Sequence, residues 1–178
     1  MRLMKIPFFY KTKDDRGISL VELIVVISIM AVMIGFLSWG VSLMFSKDAE
    51  YVAKVIDDEL SETRMLSMSK AGDFQMILHI DNRDVGDSSI EIQKDSSEYK
   101  TVPIKKKSVI KVRYGGNTIP SDDSTPVDVT VVFDKGNGSV KAPMTTDICT
   151  ITVTSKKLTS QTVMVDLAAA SGRHYIRK

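Results

Sequence analysis

The chain has a single cysteine, Cys149, and only two histidines, His79 and His174, in 178 residues. One thiol cannot form an internal disulfide, which excludes a cross-linked secreted scaffold. In "DICTITV" it shares strand parity with Ile151 and Val153, the place of a small buried apolar residue rather than a reactive thiol. The histidines are far apart and have no cysteine or carboxylate at metal-ligand spacing, so no metal site is expected. His79 reads as a surface position on a strand. Motifs of the G-x-S-x-G, P-loop and paired-histidine kinds are missing too, and "YGGNT" and "DKGNG" read as turns because no strand–loop–helix context surrounds them. Neighbouring acids such as Asp57 and Asp58, or Asp122 and Asp123, cannot converge on one substrate atom from adjacent positions. The expectation is a non-enzymatic protein without a cofactor.

Net charge is small, a formal +2, but it is unevenly placed. Ahead of Ile18 stand Arg2, Lys5, Lys11, Lys13 and Arg16 against Asp14 and Asp15, which gives that flank +3 and leaves −1 for the remainder. The positive-inside rule puts such a flank in the cytoplasm and sends the chain beyond Phe45 outward. "IKKKSVIKVRY" is locally basic and reads as a lysine-rich turn between strands.

What the sequence does have is one long apolar run. From Ile18 to Phe45 the only ionisable side chain is Glu22. As a helix, those residues would extend about 42 Å, more than the ~30 Å hydrocarbon core of a bilayer. The run is too long for a secretory signal peptide and has no A-x-A cleavage site after it. A plain anchor would explain the length and leave the acid unexplained, since an ionisable group deep in a membrane costs on the order of 3 kcal/mol and persists where it has a partner. A chain cut between Gly17 and Ile18 would expose an α-amine at the right depth to be that partner.

"RGISLVEL" resembles the processing site of type IV prepilins and pseudopilins: a basic leader ending in Gly17, a bulky apolar Ile18, and Glu22 at the fifth mature position. Glycine suits a protease that needs an uncluttered residue beside the scissile bond. The resemblance implies cleavage after Gly17 by prepilin peptidase and methylation of the Ile18 amine. It also implies a charge pair between Glu22 and the Ile18 amine of a neighbouring subunit. Ile18, Ser19 and Val21 depart from the commonest Phe, Thr and Ile. The mid-helix proline of many major pilins is missing, with Trp39 and Gly40 in that region.

Beyond Phe45, Ala49, Val52, Ala53, Ile56 and Leu60 recur at helical spacing and predict an amphipathic continuation to about Lys70, with Gly72 as a stop and a charge-rich face left in water. From Phe74 on, "FQMILHI", "SSIEIQK", "YKTVPIK", "VIKVRY", "VDVTVVF", "CTITVTS" and "QTVMVDL" alternate as strands, divided by turn-rich stretches of which Gly115 to Pro126 is the most polar and the expected mobile or inserted loop. The fold class is therefore α+β, a long N-terminal helix with a transmembrane apolar half packed on a mostly antiparallel β domain. The expected divisions are a leader at 1–17, a transmembrane and assembly helix at 18–45, an amphipathic extension at 46–72 and an extracytoplasmic β domain at 73–178.

The tail, "VVFDKGNGSV" to "GRHYIRK", is similar to the end of GspH/FimT-type minor pseudopilins. Its basic end, Arg173, Arg177 and Lys178, could contact the phosphates of DNA, or could be a final strand whose charges solubilise the end or meet an acidic neighbour in the filament. The expectation is a structural subunit of a type IV pilus or type II secretion-like pseudopilus. Its partners would be prepilin peptidase, other pilin or pseudopilin subunits and the membrane. The rival reading is a DNA-binding minor pilin of a competence pilus. The subunit would cross the inner membrane once, N-terminus in the cytoplasm, and join a surface or periplasmic filament.

Overall fold

Apolar side chains at every turn favour a helix in the first third of the chain, and alternation favours strands in the rest. The computed structural model describes residues 19–83, 86–104, 108–143, 147–156 and 161–178, with backbone alone for 37–46. The leader 1–17, the Gly17–Ile18 junction and Lys105 to Lys107 lie outside the described residues. Helix α1 runs Leu20–Ser69. Ten strands follow among the described residues: β1 (Phe74–Ile80), β2 (Ser89–Lys94), β3 (Ser97–Pro103), β4 (Ser108–Tyr114), β5 (Asn117–Ile119), β6 (Val127–Phe133), β7 (Val140–Ala142), β8 (Ile148–Ser155), β9 (Thr162–Ala168) and β10 (His174–Arg177). The architecture is α+β, as the sequence pattern predicts.

The chain divides after Trp39 into two units. The first carries apolar side chains on every side of α1, with nothing among the described residues of the unit to cover them. Among the described residues no helix is long and apolar enough to cross a membrane. The expected span over 18–45 is therefore an inference from sequence.

In the second unit the strands form two antiparallel sheets, sheet A in the order β3-β2-β1-β6-β7 and sheet B in the order β10-β9-β8-β4-β5. One core joins them to the helix. Ala49, Val52, Ala53, Ile56 and Leu60 are fully buried and share a cluster with Met76, Leu78 and Ile90 of sheet A and Ile110, Ile151 and Leu167 of sheet B. Cys149 belongs to it as well, and burial, helped by Asp166, pushes its thiol up to about 12. The helix ends where Gly72 takes φ +118°, a conformation that strains any residue with a Cβ.

The polar stretch after Tyr114 is not wholly a loop. Gly115 and Gly116 both have positive φ, so they make the two-residue hairpin that pairs Tyr114 with Asn117 and adds β5 to sheet B. Beyond β5 the edge of β4 is closed by a side chain. Asn82, 5% exposed, donates from Nδ2 to the Ile110 carbonyl at 2.9 Å and accepts the Ile110 N–H at 2.9 Å. The charge-rich face of the helix is also only partly in water. Glu59 is buried, and with Glu62 it accepts hydrogen bonds from Lys100 Nζ, an inward-pointing lysine on edge strand β3, at 2.7–2.8 Å.

On the outer face of sheet A, His79 links three strands, with Nδ1 2.7 Å from Asp128 on β6 and Nε2 3.1 Å from Glu91 on β2. Partial burial opposes its charge, but the two carboxylates outweigh this and raise its pKa above the ordinary imidazole value. Because the folded-state pKa is the higher one, the stabilisation is complete below about pH 6.5 and fades as pH rises through the folded value. An NMR titration should place His79 above a solvent-exposed histidine, and His79→Gln should remove that part of the pH dependence of unfolding. Replacing Asn82 by Ala orphans the buried N–H and C=O of Ile110, and denaturant unfolding should report a loss of about 2–4 kcal/mol.

Candidate functional site

A helix needs acceptors and negative charge at its N-terminus, and the sequence supplies both at the head of α1. Ser19 stands just outside the helix; its Oγ accepts the Val21 N–H at 3.3 Å, and its carbonyl accepts the Leu23 N–H at 3.0 Å. Glu22 is three residues on, in the first turn, where the free N–H groups and the helix dipole favour a carboxylate. This S-x-x-E spacing is a local reason for the acid that reading Glu22 only as half of a charge pair overlooks.

Past Glu22 the exposed surface is almost wholly apolar. Thirteen large apolar residues from Leu20 to Phe36 are 43% to 73% exposed, on all sides of the helix. Ser28 does not interrupt them, because its hydroxyl donates back to the Ile24 carbonyl at 2.8 Å. A helix that is hydrophobic all round is stable only where something apolar surrounds it, whether other helices or lipid.

The basic tail belongs to the second unit, and there the structure places it against the helix. Strand β10 follows one flank of α1 in the antiparallel sense. His174 Nε2 lies 2.7 Å from Ser61 Oγ and 3.8 Å from Asp57 Oδ1, and Lys178 Nζ lies 2.8 Å from Glu50 Oε1. One helical turn beyond Ser61, Arg64 donates from Nε to the Gly138 carbonyl at 3.1 Å and from Nη2 to the Ser171 carbonyl at 3.0 Å. The turns it joins touch so closely that a Cβ on Gly172 would collide with the Gly138 carbonyl oxygen, and both glycines have positive φ.

Ser61, His174 and Asp57 invite comparison with a hydrolytic relay, but their geometry differs from one. Asp57 approaches the same ring nitrogen as the serine, while Nδ1 faces the Gly172 carbonyl at 3.3 Å. Ser61 sits inside a helix whose neighbouring N–H groups are spent on the helix itself, so they cannot serve as oxyanion donors. A cavity of about 350 Å³ adjoins, lined by Ser61, Arg64, Met65, Met68, Ser69 and His174. Among the described residues no group of His, Cys, Asp and Glu could hold a metal ion.

Of the three basic residues expected to be able to meet DNA, two have acids beside them. Lys178 reaches Glu50. Arg177 Nε lies 3.0 Å from Oδ2 of Asp166, a residue 3% exposed whose Oδ1 accepts the Thr150 hydroxyl at 2.8 Å. Arg173 has no ion pair among the described residues. The structure thus brings Arg177 and Lys178 onto their own domain, while Gly17 and Ile18 are not described.

Residues 12–38 match the family described as the prokaryotic N-terminal methylation motif. The chain carries the type IV prepilin-type signature. That match covers the Gly17–Ile18 junction, Glu22 and the exposed apolar turns together. No curated protein and no solved structure matches the chain. The prepilin signature implies processing by a prepilin peptidase and assembly with other pilin subunits, and it suggests a membrane-anchored subunit.

The residues missed from sequence are Glu50, Asp57, Ser61 and Arg64, which hold the tail. Their signal was present: the spacing 7, 4 and 3 keeps all four on one flank of the buried stripe. Because Arg177 neutralises a buried carboxylate, Arg177→Ala should destabilise the chain by about 2 kcal/mol, less than for a fully buried pair since the guanidinium is half exposed. Thermal unfolding of the two forms would show it, with Arg177→Lys falling between.

Proposed function

We propose that this chain is a structural subunit of a type IV pilus or type II secretion-like pseudopilus. Residues 1–17 are its leader, the peptidase cuts after Gly17, and the amine of Ile18 is methylated. Residues 18–45 cross the inner membrane from a cytoplasmic N-terminus and later pack in the filament, 46–72 extend the helix, and 73–178 form the extracytoplasmic β domain. The observation that carries this is the uncovered apolar helix with its single carboxylate in the first turn, inside the methylation motif.

In this reading Glu22 neutralises the Ile18 amine of an adjacent subunit. A misplaced neighbour would leave a charge unpaired in an apolar environment, so the pair fixes axial register. The apolar turns supply adhesion without direction. The finer assignment to minor subunits of the GspH/FimT type is supported by the Gly172–Arg173 turn that opens β10. The DNA-binding alternative finds less support, because Arg177 and Lys178 are engaged with Asp166 and Glu50.

Co-expression with a prepilin peptidase should shorten the chain by the 17 residues of its leader, and Gly17→Val should block the cut; intact mass reports both. Glu22→Leu should insert and be processed, yet fail to enter sheared filaments. Glu22→Gln is the sharper variant, since glutamine can still occupy the S-x-x-E position and only the charge is lost. Normal filament entry by Glu22→Gln would overturn the charge pair, and cleavage elsewhere would overturn the prepilin assignment.

A further inference from the structure

Strand alternation gives each sheet an outward face turned away from the shared core, and the two faces carry opposite charge. On sheet A the outward acids are Glu91, Glu98 and Asp128, and the bases are His79 on β1 and the exposed Lys141 of edge strand β7, which pairs with Asp134. On sheet B the outward bases are Lys111, Arg113 and Arg177, with Asp166 as the only acid on those strands. Internal pairing consumes much of this: His79 sits between Glu91 and Asp128, Lys111 lies 3.6 Å from loop residue Asp123, and Arg177 covers Asp166. Glu98 and Arg113 remain without an ion pair among the described residues.

Both faces also have the makings of a contact. The centre of sheet B is a row of short hydroxyl side chains, Thr150, Thr152 and Thr154, with no long charged residue on β8 to hold a partner away. Ile148 beside it is 50% exposed. Sheet A offers Ile77, Thr130 and Val132 between its acids, each only partly buried.

We propose that sheet A of one copy docks its outward face on that of sheet B of the next, setting Glu98 and its neighbouring acids against Arg113 and its neighbouring bases. This rests on the filament-subunit reading and names the surface through which the β domains meet. Pairing like with like would juxtapose charges of one sign, which electrostatic complementarity disfavours. A contact between two different patches is heterologous, so it need not close and can propagate along an open filament.

Cysteine crosslinking of the full chain in membranes tests this cleanly, because native Cys149 is 1% exposed and silent. Thr130→Cys marks sheet A and Thr152→Cys marks sheet B. With a short bismaleimide, a chain carrying both should give a ladder of trimers and longer species, and either alone should stay monomeric. The two single variants co-expressed should stop at dimers. Arg113→Glu or Glu98→Lys in the doubly marked chain should cut the ladder at least tenfold, and the two reversals together should restore it.

Self-crosslinking of a single variant, a ladder indifferent to both reversals, or crosslinks only to a different protein would each overturn the proposal. So would no ladder, whether or not Gly17 is cut. Leader removal, scored by mass in the same samples, reports on the prepilin reading by itself, so the two can fail separately.

Discussion

Five helix residues, Ala49, Val52, Ala53, Ile56 and Leu60, have no exposed surface, and two separate sheets close over them. Everything else in the β domain depends on that shared burial. Neither sheet could cover its own apolar face in water, and a ten-strand domain with two open edges on each sheet needs something to pack between them. The two alanines in the stripe let strands approach the helix closely, while isoleucine and leucine fill the depth.

Once the helix is fixed by apolar packing, polar contacts on its flanks decide what lies beside it. On one side Glu59 and Glu62 hold Lys100 of β3; on the other, Asp57 and Ser61 meet His174 and Glu50 meets Lys178. These fasten the edge strands of the two sheets. Arg64 then binds the carbonyls of two glycine-dependent turns, drawing β7 and β10 together at one end. Among its described residues the first unit has no such arrangement. Its helix turns carry a capped N-terminus, an internally satisfied serine and uncovered apolar surface, which is stable only against other apolar groups.

The long elements were legible in the sequence because their signals are local. A period of 3.6 ran from Ala49 to Leu60 and a period of 2 marked β1, β4, β6 and β8. β5, β7 and β10 were harder, since three or four residues hold barely one alternation; the paired glycines before Asn117 read as a turn, but the short strand they lead into did not show. The tail's role was illegible for another reason. Its partners are 113 and 128 residues away for Ser61–His174 and Glu50–Lys178, and no periodicity reports such distances. At the N-terminus the situation reverses: the Gly17–Ile18 junction and Glu22 were readable as a motif, while the structure adds the helix cap that shares the same carboxylate.

The antiparallel course of β10 along the helix has a mechanical consequence. Its fastenings at Glu50, Asp57 and Ser61, with Arg64 just beyond at the turn, are spread over about 21 Å of helix axis. A pull directed along that axis loads them side by side, as rivets in a lap joint, and no single one must yield first. A pull at right angles, lifting the last residue away from Glu50, would open them one at a time. The joint is therefore strong along the helix and weak to peeling.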